Sequence, residues 1–132
     1  MSKIYEKYRM AEANEVRFED YMTEDADTVV VAVGIASRVA KGVVNRLRRK
    51  GIKVGLFRPI TLWPFPRIAL KKLASQGKQF LDVELNTGQM LEDVKLAVGD
   101  GVTVDFVGKW GGLVPTEAEV ESELRRLEAV VA

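Results

Sequence analysis

The sequence predicts an α/β domain with three layers, α/β/α, built on a five-stranded mixed, mainly parallel sheet. Three observations support this fold class. Segments with strand and helix patterns alternate along the chain. The run TVVVAVG at 28–34 is apolar and mostly β-branched, as in a central strand covered on both faces. The segment 16–22 alternates apolar and polar residues, which predicts a first strand that is antiparallel at the edge of the sheet.

The beginning of the chain is assigned to the same domain as the rest. Residues 1–23 carry a predicted helix at 3–13, followed by the edge strand, and they precede the main body of the domain at 24–132. We find no internal repeat and no low-complexity linker that would separate the two parts.

After the central strand, strands and helices continue to alternate. Apolar residues recur every three or four positions after Gly34, which predicts an amphipathic helix that ends at Gly51. The later elements are a strand at 53–57, a helix from Pro66 to about residue 75, a strand at 79–85, a helix at 88–98, a strand at 102–107 and a closing helix after the capping box of Thr116 and Glu119.

The composition indicates a folded cytoplasmic protein without a strong electric field. The 132 residues suffice for one domain, and 47% of them are hydrophobic. A formal net charge of +1 does not favour binding to nucleic acid or to an anionic membrane. No apolar run approaches the roughly 20 residues of a membrane span, and the opening MSKIYEKYRM is too charged for a signal peptide.

The chain contains neither cysteine nor histidine. This composition excludes disulfides, thiolate catalysis, cysteine-ligated zinc and iron–sulfur clusters within the sequence. It also excludes a Ser-His-Asp triad and removes the commonest acid–base catalyst. Any chemistry of this chain would therefore have to use carboxylates, lysine, tyrosine or a bound cofactor.

The GDG at 99–101 is similar to the metal-binding signature of thiamine diphosphate enzymes, in which an aspartate and a later asparagine hold magnesium. The three asparagines of this chain, Asn14, Asn45 and Asn86, all precede it, so the second ligand is missing. We interpret the motif as a turn between a helix and a strand.

Two further segments could attract anions. Gly34 and Ser37 lie where dinucleotide-binding folds hold phosphate, but two of the three glycines of that fingerprint are absent, so a tight turn is the favoured interpretation. With Gln89 at another helix start, they leave open the alternative of a flavodoxin-like module that binds a nucleotide or coenzyme. The basic segment 45–53 lacks aromatic residues, which favours a solvated face or an acidic partner.

Glu84 stands out because a carboxylate in a strand covered on both faces needs compensation. The candidate partners are Arg58, backbone N–H groups of neighbouring turns, or a group on another subunit. Asn86 or Thr87 can cap the next helix and leave Gln89 at its exposed start. We see no second titrating group beside Glu84, so a structural pair is favoured over a catalytic acid.

The corner FRPITLWPFP at 57–66 joins a strand to a helix through a stiff, proline-rich bridge. Trp63 and Phe65 are candidate interface anchors, because aromatic side chains bury large areas at low entropic cost. The alternative is that Leu62 and Phe65 cap the core.

Three motifs together resemble the carboxyl-terminal domain of the α subunit of 2-oxoacid:ferredoxin oxidoreductases. They are GLFRPITLWPFP at 55–66, VELNTGQMLEDV at 83–94 and GKWGG at 108–112, and the likeness runs from about Glu24 to Leu127. The form of the corner is similar to the 2-oxoglutarate and branched-chain 2-oxoacid enzymes. This resemblance implies a fold like the carboxyl-terminal domain of transketolase.

The resemblance also implies a complex that oxidatively decarboxylates a 2-oxoacid with coenzyme A and passes the electrons to ferredoxin. In this family, thiamine diphosphate, magnesium and iron–sulfur clusters are bound elsewhere in the complex, in other domains or the β subunit. The α subunit normally begins with a pyrimidine-binding domain, so this chain is either an excised fragment or a separately encoded piece.

On this basis the chain is expected to be a non-catalytic structural and assembly domain that binds the thiamine diphosphate-binding domains or the β subunit. Ferredoxin would be reached only through the complex. The residues expected at the strand ends or at the interface are Gly34, Ser37, Arg58, Trp63, Phe65, Glu84, Asn86 and Gln89.

Overall fold

The computed structural model describes residues 17–60, 65–84, 90–108 and 115–131, apart from the side chains of residues 130 and 131. The predicted helix at 3–13 lies outside the described residues. Within them, strands and helices alternate as expected. The elements are β1 (Phe18–Tyr21), β2 (Thr28–Ala32), α1 (Gly34–Arg49), β3 (Val54–Pro59), α2 (Arg67–Ala74), β4 (Gln79–Glu84), α3 (Leu91–Val98), β5 (Val104–Gly108) and α4 (Glu117–Val131).

The five strands form one mixed sheet in the order β1-β3-β2-β4-β5. β1 pairs antiparallel with β3, and the other three pairings are parallel. All five residues of β2, at the centre of the sheet, are buried. These findings confirm the predicted fold class, the antiparallel edge strand and the central position of the apolar run.

Two hydrophobic cores cover the two faces of the sheet. On one face, α1 and α4 pack against residues that include Val30, Leu56 and Leu81. On the other face, α2 and α3 pack against Val29, Phe57, Phe80 and their neighbours. Successive residues of a strand point to opposite faces, which explains why β2, β3 and β4 contribute to both cores.

The closing helix begins with the capping box predicted from the sequence. The Thr116 N–H donates to Glu119 Oε1 at 2.8 Å, and the Glu119 N–H donates to Thr116 Oγ1 at 3.2 Å. Val120, Leu124 and Leu127 are buried along one side of α4. The GDG segment forms the turn from α3 to β5, as interpreted.

β3 is longer than predicted. The strand continues from Phe57 through Arg58 and Pro59, because β1 pairs antiparallel along this stretch, with Phe18 opposite Pro59. The Ile60 N–H also donates to the Arg17 carbonyl at 2.9 Å. The proline-rich corner therefore starts two residues later than the strand pattern indicated.

The last residues of the parallel strands lie together at one edge of the sheet, which we call the strand-end edge. It is formed by Ala32, Pro59, Glu84 and Gly108. Within the described residues, none of the helices is long and apolar enough to cross a lipid bilayer.

Candidate functional site

The structure places five of the predicted site residues at or near the strand-end edge: Gly34, Ser37, Arg58, Phe65 and Glu84. The other three, Trp63, Asn86 and Gln89, lie outside the described residues, so their roles stay predictions.

Glu84 is held by a backbone donor of a neighbouring turn. Its side chain is 6% exposed, and its two carboxylate oxygens lie 3.0 and 3.1 Å from the Met90 nitrogen, whose N–H they accept. Met90 directly precedes α3. This bond therefore connects the end of β4 to the start of α3. A backbone N–H of a neighbouring turn was one of the three candidate partners predicted for Glu84.

The proposed pairing of Arg58 with Glu84 is wrong. Arg58 instead donates to Glu19 on the edge strand, with Nε 2.9 Å from Oε1. Two features of the sheet separate Arg58 from Glu84. β2 lies between their strands, and Arg58 shares the face of Leu56, whereas Glu84 shares the opposite face with Phe80.

Asp82 is a second carboxyl group beside Glu84, and it was not predicted from the sequence. Its side chain is fully buried, and among the described residues neither of its oxygens has a hydrogen-bond donor. Burial raises the pKa of Asp82 to about 10, and a hydrogen bond to Glu84 and its negative charge add to the effect. The expectation that no titrating group lies beside Glu84 is therefore wrong.

A sequence signal for this pair was present in QFLDVEL. Residues two apart on a strand point to the same face, so Asp82 and Glu84 are neighbours wherever this segment forms a strand. Both side chains are almost inaccessible to solvent. This geometry favours a structural role for the pair over general acid catalysis, which needs access to a substrate.

The turn at Gly34 and Ser37 is closed by its own hydrogen bond. The Ser37 hydroxyl donates to the Gly34 carbonyl at 2.6 Å, and the side chain is 5% exposed. Gly34 adopts a φ of +59°, which an L side chain rarely adopts. The hydroxyl donor that the alternative anion site would use is thus committed within the helix.

Phe65 contributes to the core between the sheet and the α2–α3 layer, with only 8% of its surface exposed. In this chain its aromatic ring therefore packs as the core alternative predicted. The interface role of the corner now depends on Trp63.

The basic segment at 45–53 finds its acidic partners within the chain. Arg46 donates to Glu117 at 2.7 Å and to Glu121 at 2.9 Å, both on α4. Arg48 donates to both carboxylate oxygens of Asp25. Among the described residues, no group of three or more acidic side chains could hold a metal ion.

The chain matches a known family over most of its length. The model of the family described as "Pyruvate:ferredoxin oxidoreductase core domain II" matches residues 26–120. The ketoisovalerate oxidoreductase subunit VorB of Methanothermobacter marburgensis is 48% identical over 127 residues, which cover 96% of this chain and 35% of that protein. The 2-oxoglutarate synthase subunit KorA of the same organism is 30% identical over 102 residues, or 77% of this chain and 27% of that protein.

Solved structures have the same fold. A 2-oxoglutarate:ferredoxin oxidoreductase from Magnetococcus marinus superposes with a TM-score of 0.75 at 21% identity, over 93% of this chain and 20% of that chain. A split-gene transketolase gives a TM-score of 0.68 at 21% identity, over 86% of this chain and 41% of that chain. The chain spans about a third of the length of the VorB protein that it matches.

Proposed function

Because the chain belongs to the family of pyruvate:ferredoxin oxidoreductase core domain II, we propose that it is a non-catalytic structural and assembly domain of a 2-oxoacid:ferredoxin oxidoreductase α subunit. The observation that supports the proposal is that three polar side chains at the strand-end edge form hydrogen bonds within the chain itself. The Ser37 hydroxyl, the Arg58 guanidinium and the Glu84 carboxylate all bond within the chain. These three groups are therefore committed to holding the fold.

In this proposal the strand-end edge packs against the thiamine diphosphate-binding domains or the β subunit of the same complex. Partners and ligands of parallel sheets gather at this edge. Trp63, in the corner after β3, supplies an aromatic anchor of the kind that dominates interface energetics. Thiamine diphosphate, magnesium and the iron–sulfur clusters are then bound elsewhere in the complex, which also delivers electrons to ferredoxin.

The complex is proposed to decarboxylate a branched-chain 2-oxoacid oxidatively with coenzyme A. Support comes from two relatives in one organism, since the identity to the ketoisovalerate subunit is 48% and that to the 2-oxoglutarate subunit is 30%. The test compares kcat/KM of the assembled complex for ketoisovalerate and for 2-oxoglutarate. A preference for 2-oxoglutarate would contradict this substrate while leaving the domain role intact.

Activity of the isolated chain tests the non-catalytic role. We expect the purified 132-residue chain to leave methyl viologen oxidised when it is given a 2-oxoacid, coenzyme A and thiamine diphosphate. The assembled complex, assayed in the same buffer, is the positive control. Reduction by the isolated chain would refute the proposal.

Binding tests the assembly role. In calorimetry, we expect the chain to bind the thiamine diphosphate-binding domains or the β subunit, and to give no heat with coenzyme A, FMN or thiamine diphosphate alone. Tight one-to-one binding of a coenzyme without any protein partner would instead support the flavodoxin-like alternative.

A further inference from the structure

Two carboxyl groups lie next to each other inside the domain, on the side of the sheet that faces α2 and α3. Asp82 and Glu84 are two residues apart on β4, and Phe80, two residues before Asp82, packs in the same α2–α3 core. Asp82 is fully buried and Glu84 is 6% exposed. Two negative charges so close together in a poorly solvated interior are strongly unfavourable, so one group must stay protonated.

Their hydrogen bonds indicate which group carries the proton. Glu84 accepts the Met90 N–H with both oxygens. Asp82 has no donor on either oxygen among the described residues. Since Glu84 is already an acceptor and Asp82 has no other partner, a hydrogen bond between the two carboxyl groups has Asp82 as its donor, which places the proton on Asp82.

The described surroundings provide no positive charge next to the two carboxyl groups. The buried Lys78 precedes β4, but its Nζ donates to the Glu24 and Ala26 carbonyls, at the end of the strand away from Glu84. Val31 on β2 and Phe106 on β5 lie beside Asp82 in the sheet. The buried residues of α2 and α3, such as Leu70 and Val94, are apolar. The charged side chains of these two helices are exposed: Arg67, Lys71, Lys72, Glu92, Asp93 and Lys95.

Among the described residues of the strands, one other acidic side chain faces the same layer. Asp20 lies on β1, separated from β4 by β3 and β2, and its charge interacts with Lys72. It is therefore too distant to replace Glu84 as the partner of Asp82.

We propose that Asp82 and Glu84 form a proton-binding site that holds one proton at neutral pH, carried by Asp82 and donated to Glu84. The ligand of this site is a proton and not a metal ion. The resulting chain of hydrogen bonds runs from Asp82 through Glu84 to the Met90 N–H. It links the middle of β4 to the start of α3, beside the strand-end edge.

The site makes folding depend on pH with a defined sign. In the unfolded chain Asp82 ionises near 3.8, whereas in the folded domain burial and the neighbouring Glu84 raise its pKa to about 10. Between these values the folded state holds a proton that the unfolded state lacks. Unfolding then releases one proton, and the unfolding equilibrium constant rises up to about tenfold per pH unit from this site alone.

The experiment compares urea unfolding of three forms of the 132-residue chain between about pH 5 and about pH 9. They are the wild type, Asp82→Asn and the control Asp93→Asn, which removes an exposed carboxylate from α3. The asparagine amide has the shape of the protonated acid and can likewise donate to Glu84. We expect the unfolding equilibrium constant of the wild type to rise more steeply with pH than that of Asp82→Asn, by about tenfold per pH unit. Asp93→Asn should show the same pH dependence as the wild type.

Infrared spectroscopy of the wild-type chain with ¹³C-labelled aspartate carboxyl groups tests the site independently of any variant's stability. We expect a carboxylic acid band at neutral pH that Asp82→Asn lacks. Parallel pH profiles of the wild type and Asp82→Asn, or the absence of this band, would overturn the proposal. A gain in stability on adding Mg²⁺ that Asp82→Asn abolishes would also overturn it, because an ionised pair would then hold a cation.

Discussion

At the scale of single residues, the roles of the carboxylates at the strand-end edge depend on the donors that each one meets. Glu19 meets the Arg58 guanidinium across the β1–β3 pair, in a contact that is partly open to solvent. Glu84 meets a backbone N–H in a buried place, and Asp82 meets no donor among the described residues. The bond from the buried Met90 N–H to Glu84 therefore contributes more to stability than the open ion pair, which is screened by water.

Replacing Glu84 by alanine removes both acceptors of the buried Met90 N–H. We expect Glu84→Ala to lower the free energy of unfolding by about 1–3 kcal/mol, because a buried donor is left without a partner. Urea unfolding followed by circular dichroism measures the change. Glu24→Ala, which removes an exposed carboxylate from a turn, is the control and should stay within about 0.5 kcal/mol of the wild type. Equal effects of the two substitutions would contradict the role of Glu84.

Gly55 is required by a close approach of two backbone segments. A Cβ at this position would lie 2.5 Å from the Met22 carbonyl oxygen and 2.9 Å from the Thr23 Cα. We expect Gly55→Ala to destabilise the domain by about 1–3 kcal/mol, because backbone atoms must move to admit the methyl group. Thermal unfolding measures the loss.

Gly42 provides the matched control for the same substitution. The nearest atom to its added Cβ would be Glu117 Oε2 at 3.0 Å, the end of a flexible side chain. Since Gly42 lies inside α1, alanine should leave stability unchanged or raise it by up to about 1 kcal/mol. A loss at Gly42 as large as that at Gly55 would show that the close approach is not the cause.

At the scale of elements, Arg48 joins three segments of the chain. It lies in the last turn of α1, and its guanidinium donates to the Met22 carbonyl at 2.7 Å and to the Val54 carbonyl at 2.8 Å. It also binds Asp25, where this hydrogen bond lowers the pKa of the carboxyl group to about 2. The turn between β1 and β2 is thereby attached to α1 and to the start of β3.

Arg48→Lys keeps the positive charge but loses the planar fork that reaches several acceptors at once. We expect a loss of about 1–3 kcal/mol in the free energy of unfolding, because the Met22 and Val54 carbonyls cannot both keep their bonds. Arg49→Lys, at an exposed position next to it, should have little effect. The comparison uses urea unfolding near neutral pH. Equal stability of the two variants would contradict the role of Arg48 in joining the three segments.

The Arg48–Asp25 contact also predicts a dependence on acid. The folded-state pKa of Asp25 lies below its ordinary value of 3.8, so the contact stabilises the fold above about pH 4 and loses this effect as the pH falls towards 2. We expect Asp25→Asn to reduce the sensitivity of stability to pH in this range, measured by thermal unfolding. If the stability of Asp25→Asn changed with pH as steeply as that of the wild type, the stabilising role of the Arg48–Asp25 contact would be contradicted.

At the scale of the whole molecule, the sheet separates two cores and leaves its strand-end edge for the proposed partner. We expect Trp63→Ala to weaken binding to the β subunit or the thiamine diphosphate-binding domains at least tenfold in calorimetry, since aromatic anchors dominate interfaces. Leu96→Ala is the control: this apolar side chain is 75% exposed in the last turn of α3, at the opposite end of the sheet. A similar loss for both variants would place the interface elsewhere.

Most of the architecture follows from local patterns. The β-branched run 28–34 predicts a central strand because burial on both faces leaves no polar positions, and the structure has β2 there. The spacing of apolar residues predicts α1 and α4, since a helix returns to the same face every 3.6 residues. Boundaries differ by a few residues where pairing with a distant strand decides them, as it does at Pro59.

Within the described residues, the sequence by itself determined the elements and their order, and it also determined the α/β class and the family, because these depend on local periodicity and on short motifs. Only the tertiary structure decided the partners of Arg58 and Glu84. Arg58 binds Glu19 and not Glu84 because the lateral order of the strands places β1 beside β3 and β2 between β3 and β4. The depth at which Asp82 is buried beside Glu84 was likewise decided by packing of α2 and α3 on the sheet, which joins residues far apart in the chain.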